Sequence, residues 1–491
     1  MYKQNWIAIF LFIVCCSSAW ASDLPDLSRA TMPCKLSLSL NDPIIDLSLT
    51  DAVFLGLRDN RSIRSAYLQR IAQKFDLRVA EEQFAPKLTL SGNAITGRNQ
   101  DDHYRSSEVT PTTTLLNELG TRTSLSWTNQ LNQTNRTGNN QSNGVTFSII
   151  QPLLRDAGTD VTTAPVRLAR LAEQVNELSL RSTVSHTVTE IVIAYRELLR
   201  AQEQLQIARD GLARSQQLMA VNKALITAGR MAEFDIVQTE ADAATQELGV
   251  EEATNQLDSN RRALLRLLAY DLNSPVRASD TLAVKRVDLN ATEALRIAYE
   301  HQPEYLMQLI SSEQASINLL VAKNQRLWDV SLVGKASQLR DSTLSETDSS
   351  SDKQWDKYVG IQFNIPISNS EARQNETRAS VNVKNTAIQL EEMKQLTERD
   401  VGDAVRDVGT RYRQFEIAKR AKELSKRKLE IEREKLQVGR SSNFQVLSFE
   451  TDLRNAENAQ LNALIAFLNS QTLLDEKLGM TLESWDIALN D

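Results

Sequence analysis

The sequence repeats itself, and this repetition constrains the fold of the chain more than any other feature. Eight positions within 50–92 recur without gaps at 292–334, with one Asp replaced by Glu, and six positions within 229–253 recur at 439–463. Such self-similarity is typical of a duplicated supersecondary unit that cannot bury its apolar face alone. We therefore expect the 491 residues to form one duplicated body rather than several unrelated domains.

The first 21 residues have the features of a secretory signal peptide. Lys3 precedes an apolar run from Trp6 to Cys16, and the small-x-small triplet Ala19–Ala21 predicts cleavage after Ala21. A membrane-anchor helix is disfavoured because the run is far shorter than the roughly 18–20 residues that span a bilayer. Lipidation at Cys15 or Cys16 is a minor alternative, since the residues before either cysteine suit it poorly.

The mature chain is expected to be exported without disulfides. Only Cys34 remains after cleavage, so no internal disulfide can form. No other segment is apolar enough for a membrane helix, which leaves the periplasm, secretion or an outer-membrane β-barrel as destinations. The formal net charge is −7 with acids and bases interspersed, and this argues against nucleic acid as a partner.

Periodicity predicts the same order of elements in each half of the chain. In the first half we expect an arm at 22–46, a helix at about 50–84, strand-like runs at 87–98, 121–131 and 145–153, a polar loop at 132–143 and a helical hairpin at 164–269. In the second half we expect a helix at 292–327, strands at 328–339 and 355–367 with a serine-rich loop between them, and a hairpin at 372–479. The predicted divisions are thus a signal peptide at 1–21, the arm at 22–46, structural repeats at 47–285 and 286–482, and a C-terminal tail at 483–491.

The predicted helix lengths constrain how the hairpins pack. At 1.5 Å per residue, each long helix spans roughly 95–100 Å, whereas each returning helix covers about 55 Å. The helix before the strands has about the missing length, so we expect it to stack end to end on the returning helix. Apolar residues spaced three and four apart, such as Val188, Ile191, Tyr195 and Leu198, favour packing at small crossing angles.

Several segments recur with the order and spacing of a known family. They are LSLTDAVFLGLRDN, FAPKLTLSG, SIIQPLL and the paired turns TAGRMAEFDIVQTEAD and QVGRSSNFQVLSFETD. Over about residues 47–482 the chain resembles the TolC family of outer-membrane efflux and secretion ducts. The resemblance implies a mostly α-helical fold, in which a long antiparallel α-helical barrel is joined to a β-barrel. It also implies a homotrimer, with about four strands from each chain in a twelve-stranded outer-membrane barrel.

The resemblance also implies where partners would meet the chain. Gly229 and Gly439 fall at two periplasmic hairpin tips, which in the family form the closing aperture and contact a periplasmic adaptor protein. The tip and gate residues predicted in this way are Gly229, Arg230, Asp235, Gly439, Arg440, Gln445 and Ser448.

The two predicted tips differ in charge. Asp235 occupies a position where the family often has aspartate, although an acid in a first helical turn is also favoured by the helix dipole. Gln445 and Ser448 stand where the best-known member carries an aspartate ring, which puts a cation-binding acidic ring in doubt. The contrast of Glu233 and Asp235 with Asn443 and Gln445 is where we expect gating differences.

The number of strand-like runs in the first half departs from the family. Both ends of a barrel insertion must leave on the same side, so three strands at 87–98, 121–131 and 145–153 break parity. The run at 121–131 is therefore interpreted as part of a long external loop, or as one bent strand counted twice. We favour the loop.

The sequence offers no constellation typical of catalysis or metal binding. His103, His186 and His301 lie in different elements, without the spacing of a metal-binding helix. Phosphate-binding glycine loops, nucleophile elbows and paired cysteines are also absent from the sequence. We expect no catalytic, cofactor-binding or metal-binding residues, and an enzyme is the weakest hypothesis.

The leading hypothesis is a passive exit duct in the outer membrane of a Gram-negative bacterium, extending into the periplasm. It would join a periplasmic adaptor and an inner-membrane pump or ABC exporter in a tripartite efflux system. The outer-membrane duct of a type I protein secretion system is an alternative that the sequence does not separate. A soluble periplasmic coiled-coil scaffold is a further alternative, but it leaves the aromatic residues near strand ends unexplained: Trp127, Phe147, Trp328 and Trp355.

Overall fold

A computed structural model describes residues 44–98, 103–134, 138–284, 290–344 and 349–489. Residues 46–491 form one compact unit. The predicted signal peptide, Cys34 and nearly all of the predicted arm lie outside the described residues. None of the helices within the described ranges is long and apolar enough to cross a bilayer.

The first half of the described chain alternates short helices, four long strands and one very long helix. In chain order its elements are β1 (Ile45–Leu47), α1 (Leu49–Asp59), α2 (Arg61–Glu81), β2 (Lys87–Arg98), β3 (His103–Leu116), β4 (Arg122–Thr134), β5 (Gly138–Pro152), α3 (Thr159–Thr162), α4 (Ala164–Thr227), α5 (Asp235–Leu267) and β6 (Val276–Ala278). A single 3-10 turn, Glu82–Phe84, follows α2.

The second half repeats this arrangement with two strands. Its elements are α6 (Ala291–His301), α7 (Pro303–Asn324), β7 (Asp329–Leu344), β8 (Ser349–Asn364), α8 (Ser370–Gln437), α9 (Asn443–Leu478) and α10 (Thr481–Ser484). We name α4 with α5 the first hairpin and α8 with α9 the second hairpin. The long helices α4 and α8 contain 64 and 68 residues, close to the predicted lengths.

The helix before the strands is broken in each half, which corrects the prediction of one continuous helix at 50–84 and at 292–327. Asn60 has non-helical backbone angles, and its side chain accepts hydrogen bonds from the amides of Ser62 and Ile63 at the start of α2. In the second half Gln302 is extended and Pro303 occupies the first turn of α7. In the first half a capping side chain marks the point where one helix ends and the next begins, and in the second half a proline does so.

Both breaks lie where a returning helix ends. The Asn60 side-chain amide donates to the carbonyl of Leu267, the last residue of α5, at 2.8 Å. In the second half, a Cβ built on Gly479 just after α9 would lie 2.4 Å from the carbonyl oxygen of His301. These junctions place α2 beyond the end of α5 and α7 beyond the end of α9, as expected for composite columns beside α4 and α8.

The core of the helical part is the predicted apolar stripe of α4. Val188, Ile191, Tyr195 and Leu198 are fully buried. The Tyr195 hydroxyl donates to the Asp280 carboxylate at 2.6 Å and lies 2.8 Å from the carbonyl of Leu47. The same stripe in α8 buries Val401, Val408 and Phe415. Spacings of three and four residues thus identified the buried face of both long helices.

The six long strands form one antiparallel sheet in the order β2-β3-β4-β5-β7-β8, so each strand pairs with the next one along the chain. This corrects the sequence prediction in three respects. The predicted loop at 121–131 is strand β4, the predicted loop at 132–143 is largely strand, and β3 was missed altogether. Within the described residues this sheet therefore has six strands, and not the four predicted for each chain. The parity argument was right, but it is satisfied by one more strand rather than one fewer.

The sheet has one apolar and one polar face over all six strands, including β3 and β4. Each of the five strand pairs keeps one register from end to end, including β3 with β4 across the gap in their pairing at Thr110 and Pro111, and these registers fix which residues share a face. The apolar face carries Leu88, Leu90, Val109, Leu115, Leu125, Trp127, Val145, Phe147, Ile149, Leu332, Val359, Ile361 and Phe363. The polar face carries Ser106, Thr110, Thr112, Thr114, Ser124, Ser126, Thr128, Ser142, Thr146, Ser148, Ser331, Ser337 and Gln362.

Candidate functional site

The two hairpin tips have the same backbone geometry. Gly229 and Gly439 adopt left-handed conformations with φ of 68° and 73°. The amide of Gly229 donates to Ile226 and that of Arg230 to Leu225, both at 2.9 Å. Gly439 and Arg440 donate in the same way to Leu436 and Lys435, at 2.9 and 2.8 Å. Each long helix therefore ends in a Schellman-type turn that requires glycine.

The other predicted tip residues lie at the start of the returning helices. Asp235 is the first residue of α5. Gln445 lies in the first turn of α9, where its amide donates to the capping hydroxyl of Ser442 at 3.3 Å. Ser448 lies one turn further along α9 and is partly buried. The sequence-predicted residues thus cluster at two separate turns, with Gly229, Arg230 and Asp235 at one and the remaining four at the other.

A buried triad of amide and hydroxyl groups joins the two hairpins near their tips. The Asn222 amide on α4 donates to the Thr239 hydroxyl on α5 at 2.8 Å and to the side-chain oxygen of Asn443 on α9 at 2.9 Å. The Asn443 amide donates to Thr239 at 3.0 Å. All three residues are buried. Because unpaired buried amides are costly, separating the hairpins here would carry an energetic penalty.

A charged cluster joins the hairpins further from the tips. The Arg214 Nε on α4 donates to Glu450 on α9 at 2.9 Å, and Arg433 on α8 contacts the same carboxylate. A second carboxylate, that of Glu457, lies 3.5 Å from Arg214. The Glu450 side chain is only 12% exposed, so this pairing is screened less than a surface ion pair. One carboxylate thereby connects three helices.

The second hairpin has an additional link of its own near the tip. Lys428 on α8 donates to Asp452 on α9 at 2.9 Å, and its ammonium lies 3.6 Å from the centroid of the Phe449 ring. Glu432 accepts from the Ser441 hydroxyl at 2.6 Å and from Lys435 at 3.0 Å, and these two contacts lower the pKa of the Glu432 carboxyl. The turn at Gly439 is therefore tied to α8 by side chains as well as by its backbone.

Two partly buried groups of opposite charge, Arg196 on α4 and Asp475 near the end of α9, lie far along the chain from the tips. Arg196 on α4 donates to the carbonyl of Leu468 at 2.6 Å and to the Thr472 hydroxyl at 2.8 Å. Burial lowers the pKa of Arg196 to about 10, and burial raises the pKa of Asp475 to about 6. The attraction between these two charges opposes both shifts, so desolvation dominates at each group.

The amide, hydroxyl and charged contacts near the tips can hold the helices together or release them, and they do not have the composition of a catalytic site. Among the described residues, no group of three His, Cys, Asp or Glu side chains is placed to hold a metal ion. Sequence reasoning missed the Asn222 triad and the Arg214 cluster because both depend on contacts between the two repeats. One signal was available, since Asn443 is one of the positions at which the repeats differ in charge.

Comparison with known proteins agrees with this geometry. Residues 296–480 match the family described as outer membrane efflux protein. No curated protein matches the chain. Three similar solved structures are the CmeC outer membrane channel of Campylobacter jejuni, the open state of the MtrE outer membrane channel of Neisseria gonorrhoeae, and CusC, whose structures concern folding and transmembrane channel formation.

The likeness to these structures extends over most of the chain. CmeC is 18% identical, with a TM-score of 0.67 over 88% of this chain and 86% of that one. CusC is 18% identical, with a TM-score of 0.67 over 93% of this chain and 99% of that one. MtrE is 16% identical, with a TM-score of 0.67 over 88% and 89%. The predicted family resemblance, fold class and outer-membrane location are confirmed, and the soluble scaffold is set aside.

Proposed function

Residues 296–480 carry an outer membrane efflux protein domain on the fold of an outer-membrane channel, and from this premise we propose that the chain is the exit duct of a tripartite efflux system. In this proposal three copies close a barrel in the outer membrane above a helical tunnel through the periplasm. The hairpin tips meet a periplasmic adaptor, and an inner-membrane pump supplies the energy. The duct itself conducts substrates passively.

One observation carries the proposal, namely that the sheet is apolar on one face but open at both edges. Among the residues that the structure describes, β2 and β8 each pair with a strand on one side only. An unpaired edge is not tolerated in lipid, because its amide and carbonyl groups have no partners there. β2 leads away from the helices and β8 returns to them, so β8 of one copy and β2 of the next run antiparallel. Three copies of six strands would close a barrel of eighteen.

The polar face and the tips support the conduction path. In the closed barrel the serine- and threonine-rich face lines the lumen, where hydroxyl groups suit a water-filled channel. At the periplasmic end, the Asn222 triad and the Arg214 cluster hold the two hairpins of each copy together. We expect these contacts to favour the closed aperture, and an adaptor that binds the tips would open the duct by replacing them.

The test has two parts. The mass of the detergent-solubilised protein, corrected for bound detergent, should equal three mature chains. The gene should also restore resistance to toxic dyes in a Gram-negative strain lacking its own exit duct, when a compatible adaptor and pump are present. A monomer in detergent would contradict the duct, whereas a trimer without restored resistance would contradict only the efflux role.

Protein secretion remains a second candidate because of the strand number. A barrel of three six-stranded sheets has a wider bore than the predicted twelve-stranded one, and bore increases roughly in proportion to strand number. A wide exit suits a polypeptide as well as a small solute. Appearance of a type I secretion substrate in the medium, without restored dye resistance, would favour this candidate over efflux.

A further inference from the structure

Charged side chains are segregated between the two faces of the sheet. In the described residues of the six-stranded sheet, all acidic residues lie on the polar face: Glu108, Asp329, Asp341, Asp352 and Asp356. The described part of the apolar face has no aspartate or glutamate, but it carries five lysine and arginine residues: Arg98, Arg105, Arg340, Lys353 and Lys357. Charge is expensive on a face that meets lipid, so this selection of one sign calls for a physical explanation.

Four of these basic residues stand at the same height. Each lies eleven residues from the helix-proximal end of its strand, counting from Lys87, Leu116, Asp329 and Asn364. We name Arg98, Arg105, Arg340 and Lys353 the basic belt; all four residues are exposed. Eleven residues at about 3.3 Å each, tilted by about 40°, rise roughly 28 Å along the membrane normal. This is about the thickness of the apolar band of an outer-membrane barrel, so the belt would lie at the outer-leaflet headgroups.

Trp355 marks the same boundary. It lies on the apolar face of β8 between Lys353 and Lys357, whose ammonium groups are 5.9 and 5.1 Å from its ring centroid. Tryptophan is enriched where hydrocarbon meets headgroups, and lysine beside it can extend its ammonium toward water. The aromatic and basic residues thus indicate one interface at this height.

The belt is interrupted within one chain and would be completed between copies. Its residues lie on β2 and β3 at one edge of the sheet and on β7 and β8 at the other, while β4 and β5 carry Gln133 and Gln141 at that height. When β8 pairs with β2 of the next copy, the two halves become four consecutive strands. At about 4.8 Å between strands, four basic side chains then fall within about 15 Å.

We propose that the basic belt binds the phosphate groups of a phosphorylated glycolipid in the outer leaflet, with one such lipid at each seam between copies. The proposal rests on the trimeric duct, because the site is incomplete in a single chain. Arginine binds phosphate through paired hydrogen bonds, and three of the four belt residues are arginines. Four adjacent cations complement a headgroup with two phosphates better than a phospholipid with one.

The experiment compares lipids bound to the intact trimer by native mass spectrometry. The probes are bisphosphorylated lipid A, the same lipid without phosphates, and phosphatidylglycerol. We expect wild-type trimers to retain up to one lipid A per seam, at least about tenfold more than either other lipid, as charge-assisted phosphate contacts imply. The belt variant, with Arg98→Gln, Arg105→Gln, Arg340→Gln and Lys353→Gln, should lose this retention.

Two controls make the result interpretable. A variant with Lys87→Gln, Arg122→Gln and Lys335→Gln removes basic residues from the polar face and should retain lipid A as the wild type does. A variant with lysine at the three belt arginines keeps the charge and should retain most of the lipid, whether or not the glutamine variant assembles. Equal retention of dephosphorylated lipid A, equal retention of phosphatidylglycerol, or undiminished binding by the belt variant would each overturn the proposal. Absence of a trimer would instead refute the duct on which it rests.

Discussion

At the scale of single residues, the tip glycines are needed for their backbone conformation and not for space. Gly439 and the mid-helix Gly402 both have open space where a Cβ would be added, but only Gly439 has a positive φ, of 73°. In Gly439→Ala the new Cβ should cost about 1–2 kcal/mol. In Gly402→Ala the helix should gain roughly 0.5–1 kcal/mol. Amide hydrogen exchange near residue 439 should accelerate about tenfold in the first variant only. Equal exchange in both would mean that the left-handed turn is not required.

Asp475 gives a residue-scale prediction for pH. Burial raises its pKa to about 6 in the folded chain, above the usual value near 3.9 for an unfolded aspartate. The folded state therefore binds this proton more tightly, and the resulting stability is full below about pH 4 and is lost as the pH rises through about 6. In Asp475→Asn the contribution is absent.

The free energy of unfolding of the wild type, minus that of Asp475→Asn, should rise by roughly 3 kcal/mol when the pH falls from 8 to 4. Thermal unfolding of the detergent-solubilised proteins, followed by helical circular dichroism, measures this difference. A constant difference across that pH range would show that the carboxyl titrates alike in both states.

The tip glycines could be predicted from the sequence, whereas the side-chain contacts that join the two hairpins could not. A glycine at a helix end has a local cause, so Gly229 and Gly439 could be read directly from the chain. Asn222, Thr239 and Asn443 come together only after two hairpins pack side by side, and nothing local marks them as partners. The buried apolar stripe of α4 was predictable because its periodicity is a property of one helix.

At the scale of elements, β3 shows the limit of strand prediction from alternation. Six of its fourteen residues are serine or threonine, its aliphatic residues are only Val109, Leu115 and Leu116, and Pro111 argues against a strand. Each strand of a membrane barrel has a weak signal because its lipid-facing residues alternate with polar ones. β3 is identified as a strand by its pairing with β2 and β4, and this pairing cannot be predicted from the residues of β3 alone.

The two strands that the prediction missed or treated as a loop should face lipid. In a Cys34→Ser background, a fluorophore at Val109→Cys on β3 or Leu125→Cys on β4 should be quenched by spin-labelled lipids. The matched positions Thr110→Cys and Ser124→Cys lie on the polar face and should be quenched by aqueous iodide instead. Iodide quenching at all four positions would show that β3 and β4 form an external extension.

At the scale of the whole molecule, β3 and β4 should set the width of the barrel. Removing residues 99–137 and joining β2 to β5 through a short glycine turn keeps the direction in which both strands meet the helices. Since barrel diameter increases roughly linearly with strand number, the variant trimer should have about two thirds of the wild-type diameter. Electron microscopy of purified trimers measures this directly. An unchanged diameter would exclude both strands from the wall.

The consecutive order of the strands has a consequence for how such a duct can diversify. All four connections between the sheet and the helices leave from the same end of the sheet, so the chain can gain or lose strands only as whole hairpins. In a symmetric assembly every such event is multiplied by the number of copies, and the exit therefore changes in discrete sizes. The tips that would meet other proteins lie on separate helices and are untouched by these events. Cargo size and choice of partner can thus be inherited independently, through insertions in one region and point substitutions in another.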